Sequence, residues 1–144
     1  MDRISKQEYY MKISEVVSLR STCPRLAVGA TIVKDDHIIS TGYNGAPRGA
    51  KHCIDVGCVL HKDRCVAVVH AEVNAIIQAA LNGTSTAGAT MYVTHQPCIN
   101  CIKIIVNAGI STVIYKHEYK TDVTYEDLRL DMGTINIVLM PSSS

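Results

Sequence analysis

The sequence contains no phenylalanine and no tryptophan, so tyrosine is its only source of large aromatic side chains. Proteins that bind single-stranded nucleic acid stack bases on such side chains, and a stacking surface is therefore poorly supplied here. The net charge is +1, and no lysine-rich or arginine-rich block is present. The composition thus gives no indication of an RNA or DNA partner and favours a small-molecule ligand.

Long apolar runs are also absent. No segment approaches the ~20 apolar residues of a membrane-spanning helix, and residues 1–10 are polar, unlike a secretory signal. Without a signal, the six cysteines are expected to be reduced thiols or metal ligands in a cytoplasmic protein. The chain has 144 residues, of which 47% are hydrophobic and 19% charged, and this predicts one globular domain spanning residues 1–144.

Two short motifs, His-Ala-Glu and Pro-Cys-Ile-Asn-Cys, hold the candidate metal ligands. His70, Cys98 and Cys101 offer one imidazole and two thiolates, and three such ligands on Zn²⁺ leave a fourth tetrahedral position open for water. Zinc lowers the pKa of that water, and the neighbouring carboxylate of Glu72 is suited to carry its protons. The combined pattern is typical of zinc-dependent nucleobase deaminases.

The hydrophobic pattern predicts an α/β protein in which a helix and a β-hairpin precede an alternation of helices and strands. Predicted helices cover residues 6–21, 70–80, 98–108 and 125–131, and predicted strands cover 26–34, 37–43, 90–94, 112–116 and 135–140. Such an alternation requires crossover connections and a sheet with helices on both faces. The candidate metal ligands then lie at helix N-termini, where the partial positive charge favours thiolates.

Three segments carry a family resemblance, namely residues 42–49 (Gly-Tyr-Asn-Gly-Ala-Pro-Arg-Gly), 70–75 (His-Ala-Glu-Val-Asn-Ala) and 92–101 (Tyr-Val-Thr-His-Gln-Pro-Cys-Ile-Asn-Cys). From about Ser14 to about Val138, the sequence resembles the deoxycytidylate deaminases, the dCMP branch of the cytidine deaminase superfamily. The resemblance implies a three-layer α/β/α sandwich around a mixed five-stranded sheet. It also implies hydrolysis of dCMP to dUMP and ammonia, which supplies precursor for dTMP synthesis. It further implies a homohexamer that dCTP with Mg²⁺ activates and dTTP inhibits.

The resemblance also implies roles for individual residues. Glu72 is expected to take a proton from the attacking water, deliver it to N3 of cytosine and later protonate the leaving amine. Asn44 is expected to bind the deoxyribose 3′-hydroxyl, although an Asn-Gly pair is also a common turn. The expected substrate contacts are Arg25, Asn44, Ala71 and Tyr119, with Lys120 a further cation beside them, and the expected effector loop contains Gly42, Gly45 and Gly49.

The preferred phosphate length is left open by the sequence. The family commonly has a basic residue where this chain has Leu81, and some viral relatives accept dCTP as well as dCMP. His95 is expected either to line the pocket or to be a structural histidine.

Four cysteines are not used by the first metal site. Four thiols suit a closed Cys₄ zinc site, which would order residues 51–63, where the hydrophobic pattern is weak. The resemblance includes a second, structural zinc in some members, with ligand positions that match Cys23 and Cys53. His52 or His61 can replace one thiol, and the alternative is four buried thiols that pack as small apolar side chains. The expected ligands are Cys23, Cys53, Cys58 and Cys65.

Two other functions share part of this pattern. A polynucleotide deaminase acting on tRNA or single-stranded DNA has the same zinc motifs but needs basic and aromatic surface, which is scarce here. A non-enzymatic zinc module needs neither Glu72 nor an open fourth position on the metal. The sequence therefore favours a deaminase of free nucleotides that prefers dCMP.

Overall fold

The computed structural model describes residues 2–119, 123–131 and 133–141. Its helices in these ranges are α1 (Lys6–Ser18), α2 (Cys53–Val56), α3 (Ala71–Leu81) and α4 (Ile99–Asn107). Its strands are β1 (Gly29–Lys34), β2 (His37–Tyr43), β3 (Leu60–His61), β4 (Arg64–Cys65), β5 (Thr90–His95), β6 (Thr112–His117) and β7 (Asn136–Leu139), and a 3₁₀ turn covers Glu126–Leu128. Within the described residues, no helix combines the length and the apolar character that a membrane span requires.

Five of the strands form one mixed sheet in the order β2-β1-β5-β6-β7. β1 pairs antiparallel with β2 and with β5, whereas β5, β6 and β7 run parallel to one another. Adjacent parallel strands need a crossover connection, and α4 lies in the crossover between β5 and β6. The predicted mixed five-stranded sheet is confirmed.

The two faces of the sheet carry separate apolar clusters. Met91 and Val93 of β5 belong to the cluster that includes α3 and α4, and the intervening Tyr92 packs with Tyr10 and Met11 of α1. This division follows from the strand geometry, because successive side chains point to opposite faces. Helices therefore cover both faces, as predicted for a three-layer α/β/α sandwich.

Two glycines let the helices approach the sheet closely. A Cβ atom added at Gly29 would lie 2.0 Å from the carbonyl oxygen of Ser14 in α1. A Cβ added at Gly42 would lie 2.4 Å from the backbone nitrogen of Ala75 in α3. Neither distance is possible for a real Cβ atom, so both positions require glycine.

The first strand begins at Gly29 rather than at the predicted Leu26. The backbone groups of the preceding segment bond to a side chain instead of to a neighbouring strand. The Asn44 amide accepts a hydrogen bond from Val28 N (2.9 Å) and donates one to Leu26 O (2.6 Å). A long-range side-chain contact of this kind leaves no trace in the local hydrophobic pattern.

Residues 51–63 contain short elements rather than a loop alone. They include α2 and the strand β3, and β3 pairs antiparallel with β4. Lys62 and Asp63 form the turn between them, both with positive φ (51° and 63°), as a tight two-residue hairpin requires. Elements of two to four residues are too short to produce a recognisable periodicity.

Candidate active site

The predicted metal ligands meet at the N-termini of two helices. His70 and Cys98 are the N-cap residues of α3 and α4, and Cys101 lies in the first turns of α4. His70 Nδ1 is 3.1 Å from Cys101 Sγ and 3.5 Å from Cys98 Sγ, and all three ligand atoms lie within 4.8 Å of one another. One imidazole nitrogen and two sulfurs at these separations fit a zinc ion with a fourth position free.

The ionisation of the thiols prepares this group for a cation. Hydrogen bonds from Cys101 and then from His70 lower the pKa of Cys98 to about 4, against the effect of burial. The contact with Cys98 also raises the pKa of Cys101, so Cys98 is the thiol that ionises first. A thiolate is the form of cysteine that binds metal.

Glu72 is buried beside the three ligands, with 5% of its surface exposed. It lies in the first turn of α3. Burial raises the pKa of its carboxyl to about 6, although the backbone N–H at the helix start and the charge of His70 act in the opposite direction. A carboxyl group of this kind, placed beside a metal-bound water, is suited to proton transfer near neutral pH.

A cavity of about 390 Å³ opens beside Glu72, His70 and Cys98. Its volume is in the range of small-molecule binding sites. Its walls come from the segment before β1, the β3–β4 hairpin and the segments that follow β5 and β6. The lining includes all four predicted substrate contacts, Arg25, Asn44, Ala71 and Tyr119, whereas Lys120 lies outside the described residues.

Asn44 is part of the cavity wall and also holds that wall in place. It is 7% exposed, and its side-chain oxygen and nitrogen both bond to the backbone of residues 26–28. An amide oxygen has two lone pairs and an amide nitrogen has two hydrogens, so each atom keeps one further hydrogen-bonding position. The structure thus gives Asn44 a structural role in the cavity wall, and its contact with the substrate stays a prediction.

Two side-chain contacts at or beside the cavity wall were not predicted from the sequence. Gln96 precedes the Pro-Cys motif, and its side-chain oxygen accepts a hydrogen bond from Tyr119 N (3.1 Å). Tyr125 donates a hydrogen bond from its hydroxyl to the carbonyl oxygen of Pro97. These contacts attach the segment after β6 and the C-terminal 3₁₀ turn to the loop that carries Cys98. The only available signal for Gln96 was its position next to the motif.

His95 also lines the cavity, one of the two positions that the sequence allowed. Its Nδ1 is 2.8 Å from Thr94 Oγ1, and its ring centroid is 5.0 Å from that of His117. Burial, and then the charge of His117, lowers the pKa of His95. A neutral ring held on both sides is therefore a fixed part of the wall.

Comparison with known proteins agrees with this site. The model of the cytidine and deoxycytidylate deaminase zinc-binding region matches residues 4–117, which include all three ligands and Glu72. The chain belongs to this family. The resemblance to deoxycytidylate deaminases that the motifs indicated is thus confirmed.

Individual relatives extend the similarity over almost the whole chain. ComE operon protein 2 of Bacillus subtilis (strain 168) is 52% identical over 148 residues, covering 95% of this chain and 78% of that protein. The deoxycytidylate deaminase of Enterobacteria phage T4 is 35% identical over 167 residues, covering 89% and 86%. The dCMP deaminase of cyanophage S-TIM5, solved in complex with dCMP and dUMP, is 33% identical with a TM-score of 0.80, covering 96% of this chain and 100% of that one.

A second group of thiols lies beside the cavity of this deaminase domain. The sulfurs of Cys53, Cys58 and Cys65 lie within 4.8 Å of one another, with Cys53 and Cys65 3.8 Å apart. Cys23 lines the cavity nearby, but among the described residues its sulfur does not belong to this group of three. Neither His52 nor His61 belongs to it. The structure thus brings together three of the four predicted ligands.

Within the second group, Cys65 is the thiol that ionises most readily. Burial and the contact with Cys65 raise the pKa of Cys53 to about 11. Burial acts in the same direction on Cys65, but backbone N–H groups of Ala67 and Val59 point at its sulfur and lower its pKa overall. Backbone donors around a sulfur stabilise its thiolate form.

The glycines of the predicted effector loop have structural roles. Gly42 is buried against α3, which explains the absence of a side chain without a bound nucleotide. Gly45 exchanges two backbone hydrogen bonds with Val69, at 3.1 and 2.7 Å. Gly49 is exposed with a φ of 87°. The loop is thus fixed to the segment that leads into His70, and its role in effector binding stays a prediction.

Proposed function

We propose that this chain is a zinc-dependent deoxycytidylate deaminase that hydrolyses dCMP to dUMP and ammonia. The observation that carries the proposal is the buried Glu72 beside His70, Cys98 and Cys101, at a cavity of about 390 Å³. The choice of substrate is supported by relatives named deoxycytidylate deaminase and by the dCMP and dUMP complex of the cyanophage enzyme. In this proposal the deaminase domain comprises residues 1–144.

Proton transfer by Glu72 is the main chemical task of the protein itself. His70, Cys98 and Cys101 would hold the zinc, which lowers the pKa of a bound water. Glu72 accepts a proton from the water that adds to C4 of cytosine and delivers this proton to N3. It then moves the second proton, from the new hydroxyl, to the amino group. The C4–N bond breaks, ammonia leaves and the C4 carbonyl of dUMP forms.

The remaining lining residues would bind and orient the nucleotide. Ala71 is fully buried at the start of α3 and limits the space for the base beside Glu72. Asn44 keeps one donor and one acceptor position for the deoxyribose 3′-hydroxyl. Arg25 and Tyr119 line the same cavity and can bind the phosphate through charge and hydrogen bonding.

The same proposal includes a structural zinc at the second thiol group. Cys53, Cys58 and Cys65 would supply three ligands, and Cys23, His52 or His61 the fourth. A site with four protein ligands is closed and contributes to folding rather than to chemistry.

The regulation and assembly of the protein are inferred from the family resemblance. Following the family resemblance, we infer a homohexamer in the cytoplasm that supplies dUMP for dTMP synthesis. dCTP with Mg²⁺ would activate it through the loop of Gly42, Gly45 and Gly49, and dTTP would inhibit it. Sedimentation and assays of dCMP and dCTP turnover with each effector added test these points.

A substrate panel separates the candidate functions. Zinc-loaded protein is mixed with dCMP, cytidine or a cytosine-containing single-stranded oligonucleotide, and loss of ultraviolet absorbance and release of ammonia are followed. We expect rapid deamination of dCMP and none of the oligonucleotide. Faster deamination of the oligonucleotide would favour a polynucleotide deaminase. Zinc-loaded protein that deaminates none of the three would be a non-enzymatic zinc module.

A further inference from the structure

Two arginines line the active-site cavity, and neither forms an ion pair with any residue that the structure describes. Arg25 precedes β1, and Arg64 is the first residue of β4. Within the described part of the chain, the ion pairs are those of Lys6 with Asp36 and of Lys116 with Glu15. The described hydrogen bonds likewise leave both guanidinium groups unused. Two unpaired guanidinium groups at one cavity are suited to bind an anionic group of the ligand.

Arg64 is held at the cavity by a short hairpin. β3 and β4 pair through His61 with Arg64 and through Leu60 with Cys65. Arg64 directly follows the two turn residues, whose positive φ angles fix the direction of the chain. A two-stranded hairpin of this size is only marginally stable in water by itself, so it requires an anchor.

The second thiol group provides that anchor. Cys65, the neighbour of Arg64, contacts Cys53 at the start of α2, and Val66 N donates a hydrogen bond to Val59 O (2.7 Å). α2 is itself attached to the cavity wall, because Ile54 N donates to Thr22 O (3.1 Å). The backbone position of Arg64 therefore depends on the grouping of these cysteines.

We propose that Arg64 binds the 5′-phosphate of the substrate together with Arg25, and that the Cys53–Cys58–Cys65 group positions it. The inference rests on the proposed function and adds a specificity residue to it. It assigns the second thiol group a role in phosphate recognition as well as in folding. Asp63 also lines the cavity, and its negative charge should oppose phosphate binding. Removing this charge should therefore have the opposite effect on dCMP binding to removing the charge of Arg64.

The test compares dCMP with deoxycytidine, which undergoes the same reaction but lacks the phosphate. Arg64→Ala should raise the KM for dCMP about 10-fold or more, the usual effect of losing a charged hydrogen bond, and leave kcat and the KM for deoxycytidine within about 2-fold. Arg64→Lys should recover part of the loss. Asp63→Asn should lower the KM for dCMP. Lys62→Ala is the matched control, because Lys62 lies in the same turn outside the cavity lining.

The positioning role is tested by a double variant and by a binding measurement. Cys58→Ser should raise the KM for dCMP, but it should add little in the Arg64→Ala background, because both changes remove the same contact. Calorimetric affinity for dUMP should follow the same order as the KM values.

Equal effects of Arg64→Ala on dCMP and deoxycytidine, or additive effects of the two changes, would overturn the inference while leaving the deaminase function intact. If the wild-type protein deaminated neither substrate, the proposed function would fail, and this inference with it.

Discussion

At the scale of single residues, Asn44 connects the cavity to the backbone that forms its wall. Its amide satisfies Val28 N and Leu26 O, and it is 7% exposed. A buried backbone group that loses its partner costs about 1–3 kcal/mol. The same side chain lines the cavity, so we expect its removal to affect both stability and substrate use.

Asn44→Ala should therefore lower the free energy of unfolding by about 2 kcal/mol and keep the catalytic zinc. It should also abolish the preference for deoxycytidine over 2′,3′-dideoxycytidine, because the partner of the 3′-hydroxyl is lost. Denaturant unfolding, metal analysis and kcat/KM for the two nucleosides provide the measurements. A variant that keeps the wild-type preference would exclude a contact with the 3′-hydroxyl.

The metal ligands illustrate what single residues reveal in a sequence. His70, Cys98 and Cys101 were predictable because their side chains have specific chemistry and stand in a known spacing. Gln96, Tyr125 and Arg64 were not, because a glutamine, a tyrosine or an arginine is common on any surface. The places of Gln96 and Arg64 at the cavity, and of Tyr125 against Pro97, depend on contacts between segments that are remote in sequence.

At the scale of secondary-structure elements, the starts of α3 and α4 determine where the ligands lie. Both starts were predicted within one residue, since each motif directly precedes an apolar helical pattern. The β3–β4 hairpin and α2 were missed, because elements of two to four residues are too short to show a periodic apolar face. The start of β1 was placed too early for a different reason, the long-range contact of Asn44.

The close contact between β2 and α3 leads to a stability prediction. Gly42→Ala should lower the free energy of unfolding by at least about 2 kcal/mol, because the new Cβ meets backbone atoms that cannot move alone. Gly133→Ala is the control, since its Cβ would lie 3.5 Å from the nearest heavy atom, a normal contact. Urea unfolding of both variants is the measurement, and equal stabilities would refute the packing role of Gly42.

The thiol group beside the β3–β4 hairpin leads to a prediction about zinc content and thermal stability. Wild-type protein should contain two zinc ions per chain, and Cys58→Ser should retain one and melt at a lower temperature. Cys98→Ala should also retain one, but it should lose activity, which distinguishes the two sites. Elemental analysis measures the zinc content of each variant, and thermal melting measures its stability. One zinc per wild-type chain that is unchanged in Cys58→Ser would exclude the second site.

At the scale of the whole molecule, the sheet organises the site. The antiparallel hairpin of β1 and β2 and the parallel strands β5 and β6 belong to one sheet, and the segments flanking them form one cavity. The alternation of helices and strands predicted a sheet with helices on both faces, whereas the mixed five-stranded arrangement came from the family resemblance. The segments of Arg25, Asn44 and Tyr119 were expected at the cavity and do line it, whereas the contribution of the β3–β4 hairpin was not predicted, because it depends on contacts between segments remote in sequence.

The central claim is that Glu72 transfers protons at a zinc site that deaminates dCMP. The most direct measurement is ammonia release from dCMP by wild-type protein and by Glu72→Gln, with zinc content determined on the same samples. The variant keeps the size of the side chain and one acceptor oxygen, but it cannot carry a proton. We predict equal zinc content and a loss of kcat of at least about 100-fold. A variant with full zinc and near wild-type kcat would contradict the claim.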